Sequence, residues 1–125
     1  RFWDTQPVPK LTESVTPTEI GPLEPDKPVE EVRAAPYNLP KGYEWSTIDI
    51  RDPVQRNETF LLLRDNYVED DDSLFRFAYA EDFLEWALTP PGFFPDWMVG
   101  VRVAATGKLY AFISGVPCHI HVHDL

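Results

Sequence analysis

The sequence predicts a mixed α/β fold, in which a strand and two helices precede a two-stranded hairpin. Residues 42–50 alternate apolar and polar side chains, as in a half-buried strand. Residues 52–68 and 81–88 place apolar side chains at helical spacing. Two apolar runs, 98–103 and 109–116, flank turn residues and are typical of a hairpin.

The first helix is expected to begin at Asp52 and to end near Tyr67 or Val68. Asp52 is a good N-cap residue, and Pro53 suits the first helical position. Gln55 has the spacing that completes a capping box with Asp52.

The second helix is expected over residues 81–88, because acidic residues at its start suit the positive end of the helix dipole. Phe83, Trp86 and Ala87 would share one face. The Pro-Pro-Gly run at 90–92 would end the helix.

Residues 1–40 are predicted to form an extended arm, strapped over a body formed by residues 41–125. Eight of the 13 prolines of the chain lie in this arm, and proline fixes φ and removes a hydrogen-bond donor. Large apolar side chains are interspersed among the prolines, which argues against a free linker.

Composition limits the class of protein. Hydrophobic residues make up 43% and aromatic residues 14% of the chain, so a packed core is expected rather than a disordered tail. The formal charge of −10 opposes binding to nucleic acid and to anionic membranes, and it suits a cationic partner.

The single cysteine, Cys118, excludes an internal disulfide framework and fits a reducing compartment. The sequence has no apolar run of membrane-spanning length and does not open like a signal peptide. We therefore expect a soluble, cytoplasmic protein.

Four successive carboxylates occupy residues 69–72. They repel one another unless they are solvated or paired with cations. A solvated charge run is one interpretation, whereas a calcium loop would need the glycine and terminal Glu of an EF-hand. The rings that follow, Phe75, Phe77 and Tyr79, alternate and would point one way from an extended backbone.

Three histidines, His119, His121 and His123, would also face one way on a strand, and zinc accepts three histidine ligands. The other interpretation is an exposed edge strand with polar residues outward. Cys118 and His119 would point to opposite faces of that strand, which argues against a nucleophile–base pair.

Three motifs spread along the chain carry a resemblance to a known family. They read Phe2-Trp3-Asp4-Thr5-Gln6-Pro7-Val8, then Asn66-Tyr67-Val68-Glu69-Asp70-Asp71-Asp72 continuing to Phe75-Arg76-Phe77 and Tyr79, and Gly100-Val101-Arg102-Val103 with Phe112-Ile113-Ser114. In these motifs the chain resembles the N-terminal segment of eukaryotic glycylpeptide N-myristoyltransferases. The resemblance implies a GNAT-like fold, a mixed twisted sheet flanked by helices, of which residues 41–125 form the first part.

The resemblance also implies a function: transfer of myristate from myristoyl-CoA to the N-terminal glycine of proteins. Myristoyl-CoA would be the acyl-donor substrate, with no tightly bound cofactor and no metal. Arg1, Phe2 and Trp3 would contact the acyl-CoA. The residues expected to bind the substrate peptide are Tyr67, Val68, Glu69, Asp70, Asp72, Phe75, Phe77 and Tyr79.

Within that set, Asp70 and Asp72 would receive a basic side chain a few residues after the acceptor glycine, through charge-assisted hydrogen bonds. Tyr67, with Asn66 beside it, would lie near the reaction centre and position the incoming amine. We expect no catalytic residue in this chain. In the family the oxyanion hole, the phosphate-binding loop and the C-terminal carboxylate base come from the remainder of the enzyme.

The expected partners are that remainder, myristoyl-CoA and N-terminal glycine peptides with a nearby lysine. Nucleic acid is not expected, and association with membrane or ribosome would be peripheral. Two other functions remain open: a non-catalytic peptide-binding module that uses the acidic loop, and a metal-binding domain that uses the histidines. The chain departs from the family at Ala80, where Ser or Thr usually caps the second helix, and at Met98, where His is common.

Overall fold

The computed structural model describes residues 2–10, 12–14, 22, 24–72 and 74–121. The chain divides into two compact units, one of Arg1–Tyr37 with Ile120–Leu125 and one of Asn38–His119. The second unit contains the regular structure, in the order β1 (Tyr43–Thr47), α1 (Pro53–Asn66), α2 (Glu81–Leu88), β2 (Met98–Val103) and β3 (Leu109–Ser114). The predicted mixed α/β class is confirmed, whereas the functional division into residues 1–40 and 41–125 stays a prediction.

The three strands form an antiparallel sheet in the order β1-β2-β3. The predicted hairpin of β2 and β3 is confirmed, and Gly107 turns it with φ of 71°, in the left-handed region that glycine adopts without strain. The pairing contains a bulge, because Arg102 lies opposite Leu109 while Val101 lies opposite Ala111. Tyr110 is therefore an extra residue in β3.

The core of this unit lies between the sheet and the helices. Ile48, Met98 and Leu109 are buried there, and Leu62, Leu88, Phe93 and Phe112 pack against them. Gly100 of β2 faces this core. A Cβ atom at Gly100 would lie 2.8 Å from Cδ1 of Ile48 and 3.0 Å from Cδ1 of Leu109, so only glycine fits without a shift of its neighbours.

Helix α1 begins as predicted. Of the two hydrogen bonds of the predicted capping box, the one accepted by Asp52 is present and the one accepted by Gln55 from Asp52 is not. The side chain of Asp52 accepts a hydrogen bond from the Gln55 backbone N–H at 2.9 Å. The Gln55 side chain accepts from the Asp49 N–H at 3.1 Å instead of from Asp52. The Asp52 N–H is already bonded to the Asp49 carbonyl, so Gln55 binds the next free donor. Hydrogen bonds from Arg51, chiefly from its backbone N–H, lower the pKa of Asp49.

Two sets of polar contacts hold α1 in place. Arg102 of β2 donates two hydrogen bonds to the Glu58 carboxylate, at 2.8 and 3.3 Å, in the fork geometry that makes such pairs specific. On the other side, Arg56 forms an ion pair with Glu85 of α2, and Asn57 donates to Glu81 at 2.8 Å. The helix is therefore joined to both the sheet and α2.

Helix α2 has the predicted bounds, and its N-cap lacks a side-chain hydrogen bond. Ala80 is in the extended conformation that an N-cap requires, and it has no oxygen to offer the first turn. The buried residue of α2 is Leu84. Phe83 and Trp86 share a face as predicted, with their rings 5.7 Å apart, and that face is exposed.

The strand predicted around the histidines is not formed. β3 ends at Ser114, and residues 115–121 have no regular secondary structure. The expected alternation of His119 and His121 on one face of a strand is therefore wrong, and so is the strand argument about Cys118. Pro117 follows soon after the strand and cannot donate to a ladder, which explains the early end.

The first unit has little regular structure, as the prolines predict. Its described residues contain two 3-10 helices, Phe2–Thr5 and Val29–Glu31. Arg33 stacks over the Tyr37 ring at 4.7 Å from its centroid. In the described part of the chain no helix is both long and apolar enough to cross a membrane.

The uncapped start of α2 leads to a stability prediction. Ala80→Ser should raise the free energy of unfolding by about 0.5–1 kcal/mol, because a serine hydroxyl would accept a hydrogen bond from the first turn. Urea unfolding followed by circular dichroism measures the change. The matched control is Ala105→Ser in the exposed hairpin turn, which should change stability by less than about 0.5 kcal/mol. Equal effects of the two substitutions would contradict the capping argument.

Candidate functional site

The acidic segment forms a closed loop directly after α1. The helix ends at Asn66, and the Tyr67 N–H donates to the Leu63 carbonyl at 2.8 Å. The chain then extends away from the helix and turns back, so that Glu69 and Arg76 form an isolated antiparallel β-bridge. The Phe77 N–H donates to the Val68 carbonyl at 3.1 Å and completes the closure. We call residues 68–77 the acidic loop.

Asp70 closes the inside of this loop. Its backbone N–H donates to the Phe75 carbonyl at 3.0 Å, and its carboxylate accepts from the Phe75 N–H at 2.8 Å. One carboxylate oxygen is thus used to shape the loop. Asp71 and Asp72 lie exposed at the tip. Asp70 and Asp72, which are both predicted to bind peptide, therefore lie in the same loop. Asp70 helps to close the loop, whereas Asp72 is exposed at its tip.

A cleft of about 390 Å³ opens along the acidic loop. Its lining residues are Val68, Glu69, Asp70, Phe75, Arg76 and Phe77. Five of the eight residues expected to bind peptide line this single cleft. Rings and carboxylates are adjacent in it, so it can accept a side chain that combines an aliphatic stem with a positive charge.

A row of aromatic rings extends from the cleft to α2. Phe77 stacks on Tyr79 with ring centroids 6.3 Å apart, and Tyr79 stacks on Phe83 at 5.2 Å. Tyr67 meets the edge of Tyr79 at 5.9 Å. Trp86 continues the row beyond Phe83. The row is largely exposed, since Phe77 is 61% and Trp86 is 74% accessible to solvent. Exposed apolar surface marks interaction sites, among them ligand-binding grooves and protein interfaces.

A second cleft, of about 350 Å³, lies beside the row between α1, α2 and β3. Tyr67, Tyr79 and Phe83 form part of its wall, and Ile113 and Ser114 of β3 form another part. Tyr67 thus stands between the acidic loop and this apolar cleft. The position suits a group that orients a polar atom at the boundary of the two clefts.

Negative charge exceeds positive charge in the acidic loop, and an ion pair lies next to it at the end of α1. Arg64 and Asp65 at the end of α1 bind each other at 2.7 Å. That hydrogen bond is the main reason why the pKa of Asp65 lies below its usual range, and the charge of Arg76 acts in the same direction. Among the described loop residues Arg76 is the only cation, against four carboxylates.

The residues predicted to contact acyl-CoA belong to the first unit. Phe2 and Trp3 lie in its opening 3-10 helix, with their rings 5.0 Å apart in an edge-to-face arrangement. Both are about two-thirds exposed, at 67% and 68%. Arg1 lies outside the described residues.

The histidines give no metal site in the described part of the chain, where no group of three or more His, Cys, Asp or Glu residues could hold an ion. His119 and His121 are exposed, and His123 lies outside the described residues. Cys118 is exposed as well, with its sulfur 3.9 Å from the His119 carbonyl oxygen.

Sequence reasoning missed two parts of this site. The first is the extension of the ring row to Phe83 and Trp86, for which the helical spacing of the two residues was the available signal. The second is Arg76, whose contacts cross from the loop to the end of α1. In the sequence, a single cation after four acidic residues indicates an ion pair within the loop. The sequence does not indicate which carbonyl groups that cation contacts.

Comparison with known proteins identifies the family of this chain. The model of the N-terminal domain of myristoyl-CoA:protein N-myristoyltransferase matches residues 22–125. The chain belongs to the N-myristoyltransferase family. Curated N-myristoyltransferase relatives include glycylpeptide N-tetradecanoyltransferase 2 of Danio rerio, 53% identical over 99% of this chain, and the Drosophila melanogaster enzyme, 51% identical over 98%. The chain spans only 24% and 26% of those two relatives.

Solved N-myristoyltransferase structures share the fold. A crystal structure of the Saccharomyces cerevisiae N-myristoyltransferase with bound myristoyl-CoA covers 93% of this chain with a TM-score of 0.80 and 46% sequence identity. The chain covers 27% of that yeast protein. The predicted fold class, the first part of a GNAT-like N-myristoyltransferase domain, is therefore confirmed.

The ring row gives a second stability prediction. Tyr79→Leu should lower the free energy of unfolding by about 1–3 kcal/mol, because it removes three aromatic contacts at once. Phe75→Leu is the matched control. Phe75 is 77% exposed and takes part in none of the ring pairs found in the described part of the chain, so its loss should cost less than about 1 kcal/mol. Equal losses in urea unfolding would show that the contacts within the row add no stability beyond that of a single exposed ring.

Proposed function

We propose that this chain supplies the acyl-CoA arm and the peptide groove of an enzyme that transfers myristate from myristoyl-CoA to N-terminal glycines. The observation that carries the proposal is identity of about one half, over almost the whole chain, to proteins named glycylpeptide N-tetradecanoyltransferase. The myristoyl-CoA bound by the yeast relative supports the choice of acyl donor. Myristoyl-CoA is a substrate in this proposal, and no tightly bound cofactor is required.

In the proposed reaction, the glycine amine attacks the thioester carbonyl carbon. The new C–N bond forms, the C–S bond breaks, CoA leaves as the thiol, and the amine gives up a proton. This chemistry needs donors that stabilise the developing oxyanion and a base for the amine. We assign both, and the loop that binds the CoA phosphates, to the remainder of the enzyme. The acidic chain described above is poorly suited to bind phosphates.

The acidic loop and the ring row would bind the substrate peptide. The stem of a lysine would lie on Phe75 and Phe77, and its ammonium group would meet the carboxylates of Asp70 and Asp72. The second oxygen of Asp70 is available for this, since the bond that closes the loop among the described residues uses Oδ1. An ammonium ion between two carboxylates makes charge-assisted hydrogen bonds, which give specificity as well as affinity.

Tyr67 would position the glycine amine. Its ring is held against Tyr79 at the junction of the two clefts, and its exposed fraction of 40% leaves the side chain accessible to a ligand. Val68 and Glu69, which are also predicted to bind the peptide, would contact it from the wall of the cleft along the acidic loop. We place the reaction in the cytoplasm, where proteins begin with free N-termini.

The test of the proposal is an acyl-transfer assay on the full-length enzyme that contains this chain. Myristoyl-CoA and a synthetic peptide with an N-terminal glycine should give free CoA and a peptide heavier by one myristoyl group. A peptide that begins with alanine is the control and should remain unmodified. Binding of the glycine peptide without any acylated product would instead establish a non-catalytic peptide-binding module.

The acidic loop yields a prediction about specificity. Asp70→Asn with Asp72→Asn should reduce, by about tenfold or more, the preference in kcat/KM for a lysine-bearing peptide over its glutamine analogue. The physical reason is the loss of both charges that meet the ammonium group. The matched control, Glu24→Gln with Asp96→Asn, changes the net charge equally outside the loop and should leave the preference intact. An unaltered preference in the loop variant would refute the assignment.

The arm yields a prediction about the acyl donor. Phe2→Ala with Trp3→Ala should weaken binding of myristoyl-CoA by about tenfold, because two large exposed rings no longer cover the ligand. Isothermal titration of the full-length enzyme with non-hydrolysable myristoyl-CoA measures the dissociation constant. Tyr37→Ala removes another exposed ring of the same unit and serves as the control. Equal effects of the two variants would mean that Phe2 and Trp3 have no special contact with the ligand.

A further inference from the structure

Arg76 connects the acidic loop to the end of α1. One terminal nitrogen of its guanidinium donates to the Asp65 carbonyl oxygen at 2.5 Å and reaches the Arg64 carbonyl oxygen at 3.4 Å. The other terminal nitrogen donates to the Glu69 carboxylate at 2.5 Å. A single side chain therefore contacts the last turn of the helix and the first acid of the loop.

These contacts answer an electrostatic problem in the sequence. The C-terminus of a helix carries partial negative charge on its last carbonyl groups, and acidic side chains are unfavourable near it. In this chain four carboxylates follow α1 within six residues of its end at Asn66. Arg76 places one positive charge between the helix carbonyls and Glu69, which offsets repulsion that would otherwise open the loop.

The same contacts determine where the binding groups lie. Arg76 and Glu69 are bridge partners in the backbone as well as an ion pair, so the loop is closed at its base. On the tip side of this base, Asp70 is hydrogen-bonded to Phe75. On the helix side, Phe77 is hydrogen-bonded to Val68 and its ring belongs to the ring row. A displacement of Arg76 would move the carboxylates and the rings relative to each other.

We propose that Arg76 is a positioning residue for peptide specificity, which holds the acidic loop on the end of α1 so that the carboxylates of Asp70 and Asp72 face an incoming ammonium group. The inference rests on the proposed function of the acidic loop. Arg76 acts through Glu69 and the helix carbonyls, and it has no assigned contact with the peptide.

Positioning and simple charge attraction make opposite predictions for the removal of this arginine. If the loop attracted lysine only through its net charge, loss of a nearby cation would strengthen the attraction and lower KM. If Arg76 orients the loop, its loss would raise KM despite the more negative charge. The sign of the change therefore separates the two explanations.

The experiment compares Arg76→Gln with Arg64→Gln in the full-length enzyme. Arg64 is the matched control, because its side-chain Nε binds the neighbouring Asp65 and its only contact with the acidic loop among the described residues is through the Arg64 carbonyl oxygen, which the substitution keeps. For a lysine-bearing glycine peptide, Arg76→Gln should raise KM about threefold to tenfold, a range set by one partly exposed ion pair and one helix-end contact. The KM for myristoyl-CoA should change less than about twofold, and Arg64→Gln should leave the peptide KM unchanged or lower.

Hydrogen exchange of the same variants provides a readout of the loop itself. The backbone amides of Asp70, Phe75 and Phe77 close the loop, and they should exchange about tenfold faster in Arg76→Gln than in Arg64→Gln. A peptide KM that is unchanged or lower in Arg76→Gln overturns the proposal, and so does unaltered exchange of the three amides.

A conservative variant guards against misfolding. Arg76→Lys keeps the charge and loses the fork geometry, so it can hold the loop only through a single nitrogen. In a folded enzyme Arg76→Lys should raise the peptide KM less than Arg76→Gln does, and a rise equal to or larger than that of Arg76→Gln overturns the proposal.

Failure of this inference is distinguishable from failure of the proposed function. If Arg76 has no positioning role, the loop variant Asp70→Asn with Asp72→Asn still loses the lysine preference while Arg76→Gln keeps it. If the loop does not bind the peptide, neither variant changes that preference.

Discussion

The close approach of Ile48 to Gly100 is the constraint on which the rest of this fold depends. With no Cβ at Gly100, the Ile48 side chain lies directly on the middle strand and meets Leu109 there. This contact brings the start of α1 down to the sheet, since the helix begins only five residues after Ile48. The clefts and rings of the candidate site lie at the far end of the same helix. Their position therefore depends on a packing contact at its near end.

The two ends of α1 are stabilised by opposite charges, as the helix dipole requires. Asp52 caps the N-terminus, and Arg76 approaches the carbonyl groups of the C-terminus. Between them, Glu58 and Arg56 fix the sides of the helix to the sheet and to α2. The helix is therefore restrained at both ends and along two sides, although few of its residues are buried. These contacts fix the position of the helix, and each contributes modestly to stability because its carboxylate is partly exposed.

Local signals in the sequence predicted the elements well, because those elements are set by neighbouring residues. The N-cap at Asp52, the bounds of α2 and the hairpin around Gly107 all follow from short-range chemistry. The half-wrong capping box shows the limit of such signals. Gln55 had two donors within reach, and the turn that brings the Asp49 N–H closer is not encoded in the spacing.

Non-local contacts were harder to foresee. The strand expected at the histidines needed a pairing partner, and no sequence pattern supplies one. The acidic loop and its rings were located through the family resemblance, whereas composition and spacing left a solvated charge run open. The link from Arg76 to α1 joins residues eleven apart through a guanidinium and a carbonyl oxygen, and one-dimensional periodicity does not report such a contact.

The extra residue at Tyr110 determines which changes in chain length the hairpin can accept. Leu109 and Phe112 are three residues apart, so a regular strand would turn them to opposite faces. The bulge lets both pack against the same core. Deletion of the extra residue Tyr110 would leave Leu109 and Phe112 two residues apart, so that a regular strand would still place both on the core face. Insertions at 104–108 would lengthen only the exposed turn. The hairpin can therefore lose the bulge residue from one arm and gain residues at its tip.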